Sequence, residues 1–194
     1  MPVKTRLPII AATIASLVFP FSPGKAQPIP GAIIYTVIIP AGEFGSAAFT
    51  SVVVGGLAAA REFCGGLEEA YRVDCLAERF GVLSKSIPKN SDYSEVQDAL
   101  KAASDRMANL ARKNRDRTLP RGKATSPKTS ETTSRALTPV TSASVAQVNK
   151  EARAILAETE TLLLRSAQGS RSKVAQYAKI ANAIGSNKVL LRTT

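Results

Sequence analysis

Two cysteines are the residues whose type and spacing promise covalent chemistry: Cys64 and Cys75 lie 11 positions apart and are the only thiols in the chain. In an oxidising compartment such a pair is expected to close as an intramolecular disulfide. One unbroken helix would forbid the bond, because 11 residues at 1.5 Å rise hold the Cα atoms about 16 Å apart and a disulfide needs less than about 7 Å. Gly65-Gly66 supplies a break that could turn Cys64 back toward Cys75. The rival arrangement keeps Leu67 to Phe80 as a regular helix and leaves two free or intermolecular thiols.

Other chemistry is thin. There is no histidine, which removes the commonest general base, proton shuttle and metal ligand. A four-cysteine zinc site fails on the count of two. Serine and lysine stand at S-x-x-K spacing twice, as Ser86/Lys89 and Ser170/Lys173. The S-D-N and K-T-G elements that give such a pair its catalytic setting are missing. Asp74 and Glu78 lie one helical turn apart and read as an ordinary exposed pair rather than an acid and base. Tyr71 and Tyr93 read as packing residues. The residues call for no catalytic group, no cofactor and no metal, so the chain reads as non-enzymatic.

Charge is the remaining handle. The formal net charge is +11, and the excess sits in the middle and the C-terminal part of the chain. Residues 112–135 hold eight bases against Asp116 and Glu131. Arg112, Lys113, Arg115, Arg117, Arg121 and Lys123 are the candidate anion-contact residues, since a basic stripe attracts anionic partners at long range. The blander reading, a solvated linker that keeps the protein soluble, is preferred. Nucleic acid is an unfavoured partner because no aromatic residue for base stacking interrupts the stripe.

The elements that must position these residues begin with an export signal. Lys4 and Arg6 precede an apolar run from Leu7 to Phe19 and a small-residue exit at Gly24-Lys25-Ala26, the pattern of a signal peptide at 1–26. Cleavage would leave Gln27 first and lower the formal charge by Lys4, Arg6 and Lys25, from +11 to +8. The Ile- and Val-rich stretch 32–39 suits a short strand. Ser46 to Phe63 suits a small-residue helix weakened at Gly55-Gly56.

Apolar residues then recur at spacings of three and four in three stretches. Val73, Leu76, Phe80, Leu83 and Ile87 form one face, with a Glu68/Arg72 pair on its surface and Pro88 as stop. Val96, Leu100, Ala103, Met107 and Leu110 form the next, opened by Asp92 as N-cap. Val145, Val148, Ala152, Ile155, Thr159 and Leu162 form a heptad-like third, opened by Ser144 and Gln147 at capping-box spacing. A shorter helix runs through Val174, Tyr177, Ala178, Ala181 and Ile184, and Val189, Leu190 and Leu191 form an apolar tail. From Thr118 to Ser144, 15 of 27 residues are Ser, Thr or Pro, too little apolar surface to offset the entropy of ordering.

The expected fold is therefore mainly α: a small bundle of about five amphipathic helices. Residues 27–113 hold the apolar segment and first helices, 114–143 a flexible basic linker, and 144–194 the C-terminal helices. The expected function is that of an exported, periplasmic or secreted protein acting by binding, with an envelope protein or an anionic surface as partner. The alternative is a membrane-surface or polyanion binder that inserts an apolar helix at 46–60 and meets headgroups with 112–135. An enzyme of unfamiliar type ranks third.

Overall fold

The computed structural model describes residues 47–89 and 91–192. The candidate signal peptide at 1–26 and the strand expected at 32–39 lie outside the described residues. Within them the protein is mainly helical: α1 (Ala47–Gly65), α2 (Glu69–Ser86), α3 (Ser94–Lys113), α4 (Ser142–Ser166) and α5 (Arg171–Ser186), closed by a 3-10 turn over Asn187–Leu191.

The apolar spacing explains which face each helix buries. On α1 the buried residues Phe49, Val53, Leu57, Ala60 and Cys64 recur every three or four positions. On α3 all five predicted face residues, Val96, Leu100, Ala103, Met107 and Leu110, are buried. On α4 the buried face follows Val148, Ala152, Ile155 and Thr159 and then takes Leu163, leaving the predicted Leu162 55% exposed. A straight helix of 3.6 residues per turn drifts away from a strict heptad, which moves the face by one residue. On α5, Tyr177, Ile180, Ala181 and Ile184 are buried, while the predicted Val174 is exposed.

Helix starts differ from the sequence expectation. α3 begins after Tyr93 rather than Asp92, and α4 after Thr141 rather than Ser144, neither with a side-chain cap. Arg72 donates to the Leu67 carbonyl instead of pairing with Glu68. Gly55-Gly56 does not weaken α1, which runs through it unbroken. A Cβ on Gly56 would come within 2.9 Å of Leu83 Cδ1, so α1 and α2 approach through that glycine.

The chain breaks at the second glycine pair. Leu67 N donates to the Cys64 carbonyl at 3.2 Å, and α2 restarts at Glu69. This turn brings Cys64 and Cys75 together as a disulfide with Cα atoms 5.7 Å apart, and both residues are fully buried. The bond and a regular α2 coexist because the reversal is made before the helix begins.

α1 and α5 run parallel. Thr50 near the start of α1 donates to Gln176 in α5 at 2.8 Å, and Gly65 at the end of α1 lies against Leu190 beyond the end of α5. Helices from either side of residues 114–143 thus share one core. The apolar face of α1, with Phe49, Val53 and Leu57, is buried in that core. No helix among the described residues is long and apolar enough to cross a membrane.

Candidate functional site

The stretch 114–141 is the main correction to the sequence reading: it is a docked excursion, not a flexible linker. Its two arms run antiparallel and touch at three isolated bridges, Arg115 with Val140, Gly122 with Leu137 and Thr125 with Thr132. No continuous ladder forms, which is why its residues give no strand periodicity. The arms turn through Ser126–Glu131, where Ser130 takes a positive φ of 56° and Ser126 N donates to the Glu131 carbonyl at 2.8 Å.

Buried carboxylates on α2 hold the excursion down. Asp74, 1% exposed, accepts both arms of the Arg135 guanidinium, at 2.5 and 2.8 Å, and the Thr138 amide at 2.7 Å. This bidentate geometry makes a strong, directional contact. Hydrogen bonding to Asp74 also holds Arg135 more firmly protonated than a free arginine. One turn along, Glu78 accepts the Ser134 amide at 2.7 Å. Arg79 packs over the Phe63 ring at 4.1 Å and reaches Glu131 on the excursion. Glu78 and Arg79 lie 3.1 Å apart without the alignment of a hydrogen bond. Leu137 and Val140 are buried, Val140 N donates to the Ala70 carbonyl, and Tyr71 Oη donates to the Pro120 carbonyl at 2.8 Å. The Asp74/Glu78 pair, expected to be exposed, is thus a buried clamp.

The six candidate anion-contact residues all lie exposed on this excursion or at the end of α3 leading into it. Arg112 donates to Asn109. Lys113, Arg115, Arg117, Arg121 and Lys123 have no hydrogen-bond or ion-pair partner among the described residues. Asp116, between two of these arginines, forms no ion pair with them among the described residues. Its Oδ1 accepts the Thr118 hydroxyl and amide, and those bonds hold its carboxyl below the ordinary range. The six are not one compact cluster: Arg112 borders the α2/α3 groove, whereas Lys123 borders a shallow hollow with Tyr71 and Leu67.

The serine and lysine pairs take structural roles. Ser86 Oγ donates to the Leu83 carbonyl. Ser170 is the N-cap of α5 and accepts the Lys173 amide at 3.1 Å. Lys173 Nζ donates to Glu95 at 2.9 Å, and Tyr177 Oη donates to the other Glu95 oxygen at 2.6 Å. Burial alone would raise the Glu95 carboxyl, but the bonds from Tyr177 and Lys173 outweigh it and hold it below its usual value. Burial and the neighbouring Glu95 push the Tyr177 phenol far up, so it stays protonated. Among the described residues no group of three or more Cys, Asp or Glu side chains could hold a metal ion.

Sequence reasoning missed Arg135 and its clamp because each member looks ordinary alone. Asp74 and Glu78 have helical spacing, and Arg135 sits among serines and threonines; only the buried Leu137 and Val140 near it carried a signal. No family model, curated protein or solved structure matches this chain.

Proposed function

We propose that this is an exported, non-catalytic helical binding protein of the cell envelope that meets an acidic protein surface through its docked basic excursion. One observation carries the reading. The clamp on Asp74 and Glu78 uses Arg135 for anchorage and leaves Lys113, Arg115, Arg117, Arg121 and Lys123 exposed without acidic partners. A merely solubilising linker needs no buried anchor, whereas a presenting surface gains from one, because fixed cations lose less entropy on contact. The buried disulfide agrees with passage through an oxidising compartment, and the basic, apolar and small-residue order of the first 26 residues agrees with export.

The test is an affinity pull-down from envelope extracts at low and high salt, with the wild type beside a variant carrying Gln at those five positions. Capture should be strong at low salt, fall as the screening length shortens from about 8 Å at 0.15 M toward about 3 Å at 1 M, and be lost in the variant. Capture that ignores both salt and the five substitutions would remove the excursion from the function. Anionic and neutral vesicles form the second arm, and binding confined to anionic vesicles would transfer the role to lipid headgroups. Export is checked by mass spectrometry of the native protein, which should begin at Gln27.

A further inference from the structure

We propose that the groove between α1 and α5 binds a small amphipathic dianion, a molecule with an acidic group at each end of an apolar body. The groove has a volume of about 590 Å³, within the range of about 300–1,000 Å³ usual for small-molecule sites, which are mostly apolar with a few placed polar groups. Val54, Leu57, Ala58 and Ala183 supply apolar lining. Gly55 also lines the groove, and a Cβ built there meets nothing within 4 Å, so a larger side chain at this position has room to project.

The charges select the ligand. Arg61 and Lys179 line opposite walls and no acidic residue lines the groove. Both cations are exposed and neither has a hydrogen-bond or ion-pair partner among the described residues. Their levels follow from the parallel run of the two helices. The Thr50 to Gln176 hydrogen bond sets one level; Arg61 lies 11 residues past Thr50 and Lys179 three past Gln176. The difference of eight residues puts the Cα atoms of Arg61 and Lys179 about 12 Å apart along the axis at 1.5 Å per residue. One cation toward each end, with apolar walls between, complements two anionic groups joined by an apolar spacer.

One buried polar side chain, Asn187, borders the groove. It lines the groove, is 1% exposed, and spends its Nδ2 on the Ala183 carbonyl at 2.9 Å. Its Oδ1 has no donor, although buried polar atoms are rarely left unsatisfied. The proposal involves no residue of the basic excursion and stands apart from the function argued above.

Titration calorimetry at low salt tests it, using the purified protein with aliphatic α,ω-dicarboxylates of increasing chain length and monocarboxylates of matching length. Affinity should peak at an intermediate dicarboxylate length and exceed that of the monocarboxylates. Arg61→Gln and Lys179→Gln should each weaken it about tenfold, the loss of one charge-assisted hydrogen bond. Gly55→Leu should abolish binding by filling the groove from a position with free space, while circular dichroism and melting temperature hold. The excursion variant with five Gln residues should bind normally. Absence of binding at every chain length, equal affinity for mono- and dicarboxylates, or binding that survives Gly55→Leu would each overturn the proposal. Loss of binding in the excursion variant would also overturn it, by moving the anion site to that surface.

Discussion

Removing Arg135 should release the basic excursion from the bundle. Among the described residues Arg135 is the only cation bonded to Asp74, a carboxylate 1% exposed, and after Arg135→Gln that carboxylate keeps only the Thr138 amide of the contacts that tie it to the excursion. Stranding a buried charge by deleting its partner costs about 3–5 kcal/mol. The Arg135 side chain is itself 38% exposed, so solvent screens part of the pair and the lower end, about 3 kcal/mol, is expected. The reciprocal Asp74→Asn leaves an arginine that can turn to water, and its cost should be smaller, about 1.5–3 kcal/mol for the charged hydrogen bonds lost. The double variant should cost less than the sum, because each single change already breaks the same contact. Urea unfolding followed by circular dichroism measures all three. Limited trypsin digestion supplies the local readout: the wild type should resist cutting at Arg115, Arg117 and Arg121, and Arg135→Gln should be cut there first. An Arg135→Gln cost within about 0.5 kcal/mol, the range of ordinary surface changes, with unchanged digestion, would refute the clamp.

Replacing Cys64 and Cys75 by serine should lower stability by about 3 kcal/mol, the chain-entropy value for a loop of this size, and thiol labelling of the denatured, unreduced wild type should find no free thiol. Glu95 has a folded-state pKa below its ordinary 4.5, so its contribution is complete above pH 4.5 and is lost as pH falls through the lower folded value. Urea midpoints should therefore decline on acidification less steeply in Glu95→Gln than in the wild type, and parallel slopes would remove Glu95 from the acid response. Leu100→Ala, at a fully buried position in α3, should cost about 2–5 kcal/mol through lost burial and the cavity left behind, read from the same urea curves.

The sequence by itself determined the helical class and the faces of α2 and α3, and it made the Cys64–Cys75 bond feasible without deciding it; the reason is local. Val96, Leu100, Ala103, Met107 and Leu110 share a face whatever they pack against, because side chains three and four apart lie together on any helix. Cys64 and Cys75 could meet because Gly65-Gly66 interrupts the helix between them, which neighbouring residues alone decide. Tertiary structure decided the rest. The excursion is held by Leu137 and Val140 in the core and by Arg135 on Asp74, contacts 61 positions apart or spread between isolated bridges, so no short window contains them. Burial of Asp74 and Glu78 depends on the bundle and the excursion closing over α2, not on the spacing of the two carboxylates. The groove beside Gly55 exists only because α5 returns parallel to α1, bringing Lys179 and Asn187 opposite residues more than 100 positions earlier. Local periodicity sets which side of a helix is apolar; which polar residues meet across the fold is set by how the helices pack.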